Sequence, residues 1–318
     1  MNPAKRPDVR IHVYGPVPSR RLGYSLGVDI LPYKTCTLDC LYCQLGPTPK
    51  KTIRRKSYFE METVLSQIQN ALQSGQEIDY ITFSGSGEPT LNASLGKLIR
   101  NIKAMTNTPV AVLTNGTLLT SKSVRKALLA ADLVVPSLDA ASQTMFTRVN
   151  RPHKSLKINA VVKGLQSFSE EFKGRIWLEI MLMKNINDSP EHIRELKKIV
   201  DRIRPDKVQL NTVIRPPADD TARPLSYDEL ERIRKIFGER CEIIADFSRI
   251  RQTPRMADLE VSILETVRRR PVTLFDLAAS LGKHQDEVLK HLNHLLDKNQ
   301  IKAVSHETKT YYEPADGT

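Results

Sequence analysis

Six short, nearly unbroken apolar runs, each followed by an amphipathic stretch, constrain this chain more than any other feature. The runs cover residues 25–31, 80–84, 110–114, 133–137, 176–181 and 207–213. A strand that reads as continuously apolar is one covered on both faces, as in a parallel sheet flanked by helices. The stretches between them read as helices. Residues 60–74 place Met61, Val64, Leu65, Ile68 and Leu72 on one face, and 91–105, 121–131, 155–169, 190–203 and 226–237 follow. Ser121 and Ser226 stand where N-caps belong. Strict alternation predicts an α/β fold, either a parallel barrel or an open doubly wound sheet. Functional residues should then gather at the C-terminal ends of the strands.

The alternation stops after residue 245. Residues 246–257, with Arg249, Arg251, Pro254 and Arg255, read as a linker between a domain over 1–245 and a small one over 258–318. In the second region a helix over 258–269 turns Leu259, Ile263, Leu264 and Val267 inward. Thr273 and Asp276 are spaced as a capping box for a helix ending at Leu281. Gly282 makes the turn, and a third helix over 285–298 turns Val288, Leu289, Leu292 and Leu295 inward. Residues 301–304 and 310–312 alternate like a hairpin, and the whole resembles a winged helix-turn-helix. A DNA reader needs a basic footprint. Here the third helix sets Lys290 and Lys298 against Asp286, Glu287 and Asp297, and residues 258–318 hold eight basic and ten acidic side chains. A protein or peptide partner, or dimerisation, is therefore expected of this region rather than DNA. His284, His291 and His294 are read as exposed polar positions, not metal ligands.

The 318 residues are 40% apolar and 26% charged, as in a globular protein. No apolar run approaches the length of a membrane-spanning helix, and the polar, basic first ten residues do not resemble a secretory leader. A cytoplasmic location is expected. The net charge is +12, and much of it is N-terminal: residues 1–58 carry eleven Lys and Arg against three Asp. Both a phosphate-bearing partner and an ordinary solvated basic surface account for that bias.

Three of the four cysteines fall in Cys36-Thr-Leu-Asp-Cys40-Leu-Tyr-Cys43, directly after the first apolar run; the fourth is Cys241. Such clustering fits a metal site in a reducing compartment better than a disulfide framework. Three thiolates on one loop can converge on one metal centre. Structural zinc wants a fourth ligand at comparable range, whereas His12, His153 and Cys241 are all remote in sequence. Three ligands on a four-iron cluster leave one iron open for chemistry.

At this point the chain resembles the radical S-adenosylmethionine (radical SAM) enzymes, whose signature is C-x3-C-x-aromatic-C, with Tyr42 at the aromatic position. The companions appear in order. Ser84-Gly-Ser-Gly-Glu-Pro-Thr90 looks like the family's GGEP segment. The resemblance implies that Ser84, Gly85, Gly87 and Glu88 receive the methionine amino group of the cosubstrate. Thr114 and Asn115 follow the third run, and Ser137 and Asp139 follow the fourth, where the family places polar contacts to ribose or carboxylate. Met181 then packs on the adenine. The implied fold is a partial parallel (β/α)6 barrel. The implied cofactors are a [4Fe–4S] cluster on Cys36, Cys40 and Cys43 and S-adenosylmethionine. Reductive cleavage of the latter gives a 5′-deoxyadenosyl radical that abstracts hydrogen from a substrate, in an oxidoreductase- or transferase-type reaction. A low-potential donor, flavodoxin or ferredoxin, is implied as partner.

A narrower resemblance, to the tRNA wyosine-forming branch, rests on Val17-Pro-Ser-Arg-Arg-Leu-Gly23, Pro32-Tyr-Lys-Thr-Cys36, Gln209-Leu-Asn211 and Arg215-Pro216-Pro217. Those enzymes carry further cysteines for a second cluster, and none precedes Cys36 here. The scaffold and radical initiation therefore carry over, and the substrate does not: RNA, a peptide and a small molecule all stay open. Arg20, Arg21, Asn211 and Arg215 are the substrate-facing candidates, because arginine forks grip phosphate or carboxylate. Two further readings are an iron–sulfur redox sensor that binds DNA and a zinc-stabilised binding protein.

Overall fold

The computed structural model describes residues 12–215, 217–245, 259–281, 283, 285–307 and 309–315. Strands β1 (Val13–Ser19) and β2 (Gly23–Val28) form an antiparallel hairpin. Strands β3 (Tyr80–Phe83), β4 (Val110–Thr114), β5 (Leu133–Pro136), β6 (Arg175–Leu182), β7 (Lys207–Thr212) and β8 (Cys241–Ile243) join β2 in chain order, all parallel. The expected six strands are present as β2 to β7, and two edge strands are added. β1, which was not expected, carries Pro16 and Pro18; an edge strand tolerates proline because one side needs no ladder bond. β8 is three residues long.

Helices α1 (Met61–Gln73), α2 (Leu95–Met105), α3 (Lys122–Leu128), α4 (Gln143–Asn150), α5 (Ile158–Glu171), α6 (Pro190–Ile203) and α7 (Tyr227–Phe237) lie between the strands. The helix expected from residue 91 starts at Leu95, because Pro89–Leu91 forms a separate 3-10 turn and the Asn92 side chain caps the break through Ser94 N–H, 2.8 Å. Ser226 makes the full capping box with Glu229. Ser121 is an N-cap by position but makes no capping bond. α4 was not expected.

The strand period of two separates two layers. One face sends Leu26, Val28, Ile81, Phe83, Val112, Ile180 and Leu210 into the helices, forming the main core. The other face is split. Leu22, Ala111, Leu133, Val135 and Trp177 make a small apolar plug. Beyond it, Ser25, Gly27, Thr82, Ser84, Glu179, Met181 and Asn211 line a cavity of about 310 Å3.

The C-terminal region has its own core, with Ile263, Val267, Leu277, Val288, Leu292, Leu295 and Ile301 buried together. Its elements are α8 (Leu259–Arg269), α9 (Leu274–Leu281), α10 (Gln285–Asp297) and the hairpin β9 (Ile301–His306) with β10 (Lys309–Pro314). Thr273 and Asp276 cap α9 reciprocally, each backbone N–H bonding the other's side chain at 3.1 Å. His291 and His294 both turn Nδ1 to Glu260, at 3.1 and 2.8 Å, and so tie α10 to α8. The expected linker, Gly282, His284 and Pro216 lie outside the described residues. α8 and α9 pack on β1, and the Tyr311 hydroxyl donates to the Ile214 carbonyl. Among the described residues no helix is long and apolar enough to cross a membrane.

Candidate functional site

The cysteine loop leaves β2 and is sewn to its neighbours on both sides. On one side Lys34 N–H bonds Ser86 O at 2.7 Å and Glu88 N–H bonds Thr35 O at 3.0 Å. On the other, Asp39 and Leu41 N–H bond Asn150 and Val149 O, each at 3.0 Å, and His153 N–H bonds Thr37 O at 2.9 Å. The loop thus hangs between the end of β3 and the end of α4. Each thiol meets an N–H donor from a different place. Asn115 Nδ2 lies 3.6 Å from Cys36 Sγ, Asn150 Nδ2 3.4 Å from Cys40 Sγ, and Lys34 Nζ 3.0 Å from Cys43 Sγ. Burial pushes the Cys36 thiol up to about 12, helped by the Glu88 charge, and pushes Cys40 well up, helped by Asp139. Among the described residues no three Cys, His, Asp or Glu side chains stand together as a preformed metal site. What converges is one loop of soft donors ringed by N–H groups, a donor set suited to an iron–sulfur cluster. His12 bonds Asp29 O, and the His153 ring turns to Ser155. Cys241 is buried in β8.

The glycine-rich segment serves the loop. A side chain on Gly87 would meet Thr35 O at 2.0 Å, and one on Gly85, at φ +130°, would meet Asp29 Cγ at 2.7 Å. The close approach that requires glycine here is therefore to the protein's own backbone and to Asp29. Asp29 Oδ2 in turn accepts from Ser86 N–H and hydroxyl. Glu88 is buried. Its Oε1 accepts from Thr90 N–H (3.1 Å), Thr90 hydroxyl (2.6 Å) and Thr114 hydroxyl (2.6 Å), and its Oε2 accepts from Asn115 N–H (2.7 Å). It clamps the loops after β3 and β4 together. Burial raises its carboxyl against those bonds.

Asp139, after β5, is a second hub. Its carboxylate accepts from the Tyr42 hydroxyl, from Asn150 Nδ2 at 2.7 Å and from Met181 N–H at 2.9 Å. Burial pushes it up to about 6. Tyr42 is thereby held beside the cysteines, and Ser137 bridges to Glu179 on β6. Asn150 was not singled out in the sequence. Its signal was weak: one asparagine ending an unexpected helix, before Arg151 in the left-handed region, φ 42°.

Tyr42, Cys43, Ser84, Gly85, Ser137 and Met181 line one side of the cavity. All four substrate candidates, Arg20, Arg21, Asn211 and Arg215, line it too, joined by Arg269 and Arg270. The candidates are tied to one another. Arg21 forks Glu179 with two bonds of 3.0 Å and reaches Gln209 at 3.2 Å. Asn211 donates to Glu179 at 2.7 Å and accepts from Arg20 at 2.8 Å. Arg215 donates to Gln44 at 3.4 Å. Burial raises the Glu179 carboxyl, but Arg21, its hydrogen bonds and Arg20 outweigh it, and the net is below the ordinary value. Burial lowers Arg20 to about 10. Glu179 is the residue that sequence reasoning missed. Its signal was a lone acid inside a run read as covered on both faces. The N-terminal basic bias also resolves in part: Arg20, Arg21 and Lys34 point inward, not to the surface.

Comparison with known proteins follows the same lines. The profile of the radical SAM superfamily matches residues 30–197. The chain is 39% identical to a GTPase Obg of Brachyspira hyodysenteriae over 91% of its own length, but spans only 43% of that protein. It is 30% identical to a UPF0026 protein of Methanocaldococcus jannaschii, over 94% of both chains. Its fold resembles the crystal structure of a radical SAM methyltransferase from Sphaerobacter thermophilus, with a TM-score of 0.50 and 17% identity. That match covers 69% of this chain and 65% of the other.

Proposed function

Because the chain belongs to the radical SAM superfamily, enzymes that work with a [4Fe–4S] cluster and S-adenosylmethionine, we propose that Cys36, Cys40 and Cys43 hold that cluster. The observation that carries this reading is the N–H donor at each of the three sulfurs, from Asn115, Asn150 and Lys34. Hydrogen bonds to cluster sulfurs are one of the means by which a protein tunes such a centre. Bound there, such a cluster would supply one electron for cleavage of S-adenosylmethionine to methionine and a 5′-deoxyadenosyl radical able to take a hydrogen atom from the substrate.

The chain's own residues have the tasks of holding, orienting and excluding water. Glu88 fixes the loops after β3 and β4, so that the Ser84–Glu88 backbone faces the cosubstrate. Asp139 orients Tyr42 and the Met181 backbone, beside which the adenosyl part sits. Leu22 and Leu113, from the apolar plug, line the cavity and help to exclude water. The cysteine loop is not fully enclosed, which leaves a flavodoxin or ferredoxin an approach for electron delivery. An enzyme, not a DNA-binding sensor, is the reading that a lined interior cavity favours.

The test is anaerobic reconstitution with iron and sulfide, then dithionite and S-adenosylmethionine, with 5′-deoxyadenosine as the readout. The wild type should form it, and Cys36→Ala should lose at least about a hundredfold, about 2.7 kcal/mol in barrier terms. An intact cluster without cleavage would sink the enzyme reading, and bound zinc without sulfide would sink the cluster.

A further inference from the structure

The three N–H donors at the cysteine loop differ in charge. Asn115 and Asn150 offer Cys36 and Cys40 neutral amides, whereas Lys34 offers Cys43 an ammonium, with Nζ 3.0 Å from Sγ. Lys34 is only 5% exposed. A buried ammonium costs free energy unless an opposite charge answers it. Among the described residues no carboxylate pairs with Lys34, and its ammonium meets Cys43 Sγ. A neutral thiol is a weak acceptor. A thiolate ligand of an iron–sulfur cluster is an anion, and its bond to an ammonium is charge-assisted. The backbone holds the lysine in place. Its N–H bonds Ser86 O at 2.7 Å, and its φ is 54°, a left-handed conformation that lysine rarely adopts. The charge reaches past Cys43: at Cys36, Glu88 pushes the thiol up and Lys34 opposes it. Cys43 lines the cavity and Lys34 does not, so the ammonium serves the sulfur rather than the substrate's space.

We propose that Lys34 is the counter-charge that sets how readily the cluster accepts its electron. The inference rests on the reading above, in which Cys36, Cys40 and Cys43 hold a [4Fe–4S] cluster. In that step one electron passes from the low-potential donor, which is oxidised, to the cluster, which is reduced. No bond breaks and no proton moves, so the cluster becomes more negative by one charge. A fixed positive charge beside Cys43 stabilises the reduced form more than the oxidised one, and so raises the potential. The amides of Asn115 and Asn150 donate hydrogen bonds but bring no net charge. Enclosure keeps solvent and salt from screening Lys34, whereas Lys50, exposed farther along the chain, is screened.

The test is a redox titration of the full-length chain, reconstituted anaerobically with iron and sulfide and kept free of S-adenosylmethionine. Electron paramagnetic resonance reads the reduced cluster. Lys34→Gln keeps an N–H donor and loses the charge, Lys34→Met loses both, and Lys34→Arg keeps both. At a fixed potential the Gln and Met variants should show a reduced-to-oxidised ratio lower than the wild type's by about tenfold or more, which for one electron is about 59 mV. Lys34→Arg and Lys50→Gln should titrate with the wild type. A Lys34→Gln potential equal to the wild type's overturns the proposal, because the hydrogen bond and not the charge would then matter. So does a Lys34→Arg potential that falls with the neutral variants, since shape would then matter. If neither neutral variant holds iron and sulfide at the wild-type ratio, Lys34 serves assembly of the centre and the proposal fails. A shift that appears only once S-adenosylmethionine is added also overturns it, since Lys34 would then serve the cosubstrate's carboxylate. A wild type that holds no cluster sinks this inference and the reading beneath it. A wild-type cluster whose potential is indifferent to Lys34 sinks this inference alone.

Discussion

Asp139, after β5, and Glu179, on β6, are both largely enclosed carboxylates, one behind the cysteine loop and one in the arginine wall, and their charges are settled in opposite ways. Asp139 is met by neutral donors, a phenol, an amide and a backbone N–H. Burial wins, and its carboxyl rises to about 6. Glu179 is a little more open, its side chain 15% exposed; burial still raises it, yet the Arg21 fork and Arg20 outweigh that and hold it below the ordinary value. The partner's charge, not depth, decides the outcome. The cysteine side is lined mostly by neutral N–H donors, as suits a wall facing a charged cluster. The arginine side is built of ion pairs, Arg21 on Glu179 and Arg269 on Glu265.

Breaking the ion pair is the most severe way to test that contrast. Glu179→Ala leaves Arg21 buried with only Gln209 among its named partners. Removing one partner of a buried pair costs about 3–5 kcal/mol, so urea unfolding should show the largest loss of any single change discussed. The pH dependence has a definite sign. The folded carboxyl lies below the ordinary 4.5, so its contribution is complete above that value. It is lost as pH falls below 4.5 toward the lowered folded value. The variant's acid limb should be flatter there than the wild type's.

Asp139→Asn is the counterpart. The amide keeps the shape but turns one acceptor into a donor, facing Tyr42, Asn150 or Met181 N–H. The expected cost is about 1–3 kcal/mol, that of one unsatisfied buried polar group. If it equals or exceeds the cost of Glu179→Ala in the same urea series, the distinction between neutral and ionic walls fails.

How much of this could be read from the sequence follows from what each layer needs. The outward faces of β2 to β7 are packed under helices, so they appear as apolar runs, and their order with the motif residues Cys36 to Cys43, Gly85 to Glu88 and Asn115 was legible. The inward face carries single polar residues two apart, Thr82 and Ser84 or Gln209 and Asn211, and such short pairs leave no lasting periodic signal. Glu179 became meaningful only when Arg21, 158 positions away in sequence, arrived beside it. β1 was hidden by its prolines; length does not explain α4, which is no shorter than the α3 and α9 that were expected. Arg269 and Arg270 end a helix, where basic residues are ordinary complements to the helix dipole. Nothing in their spacing tells of a cavity on another part of the chain.

Tyr14 on β1 is where the two walls meet, and it offers the finest test. Its ring lies across Gly27, where any side chain would meet ring carbon at 2.1 Å. Its hydroxyl pairs with Ser84 Oγ at 3.1 Å, on the cosubstrate side. The Arg269 guanidinium lies over its face, 4.3 Å from the centroid. Tyr14→Phe keeps the ring and its hold on Arg269 but drops the Ser84 bond, worth about 0.5–1.5 kcal/mol. Tyr14→Leu drops the cation–π contact as well, a further loss of about 0.5–2 kcal/mol, together with some packing over Gly27. Urea unfolding separates the two. The phenylalanine variant should lose only the Ser84 bond, because Arg269 stays in place over the ring. The leucine variant should lose more, because the end of α8 loses its footing on β1. Equal losses in the two variants would mean that α8 is held without Tyr14, and the seam between the walls would lie elsewhere.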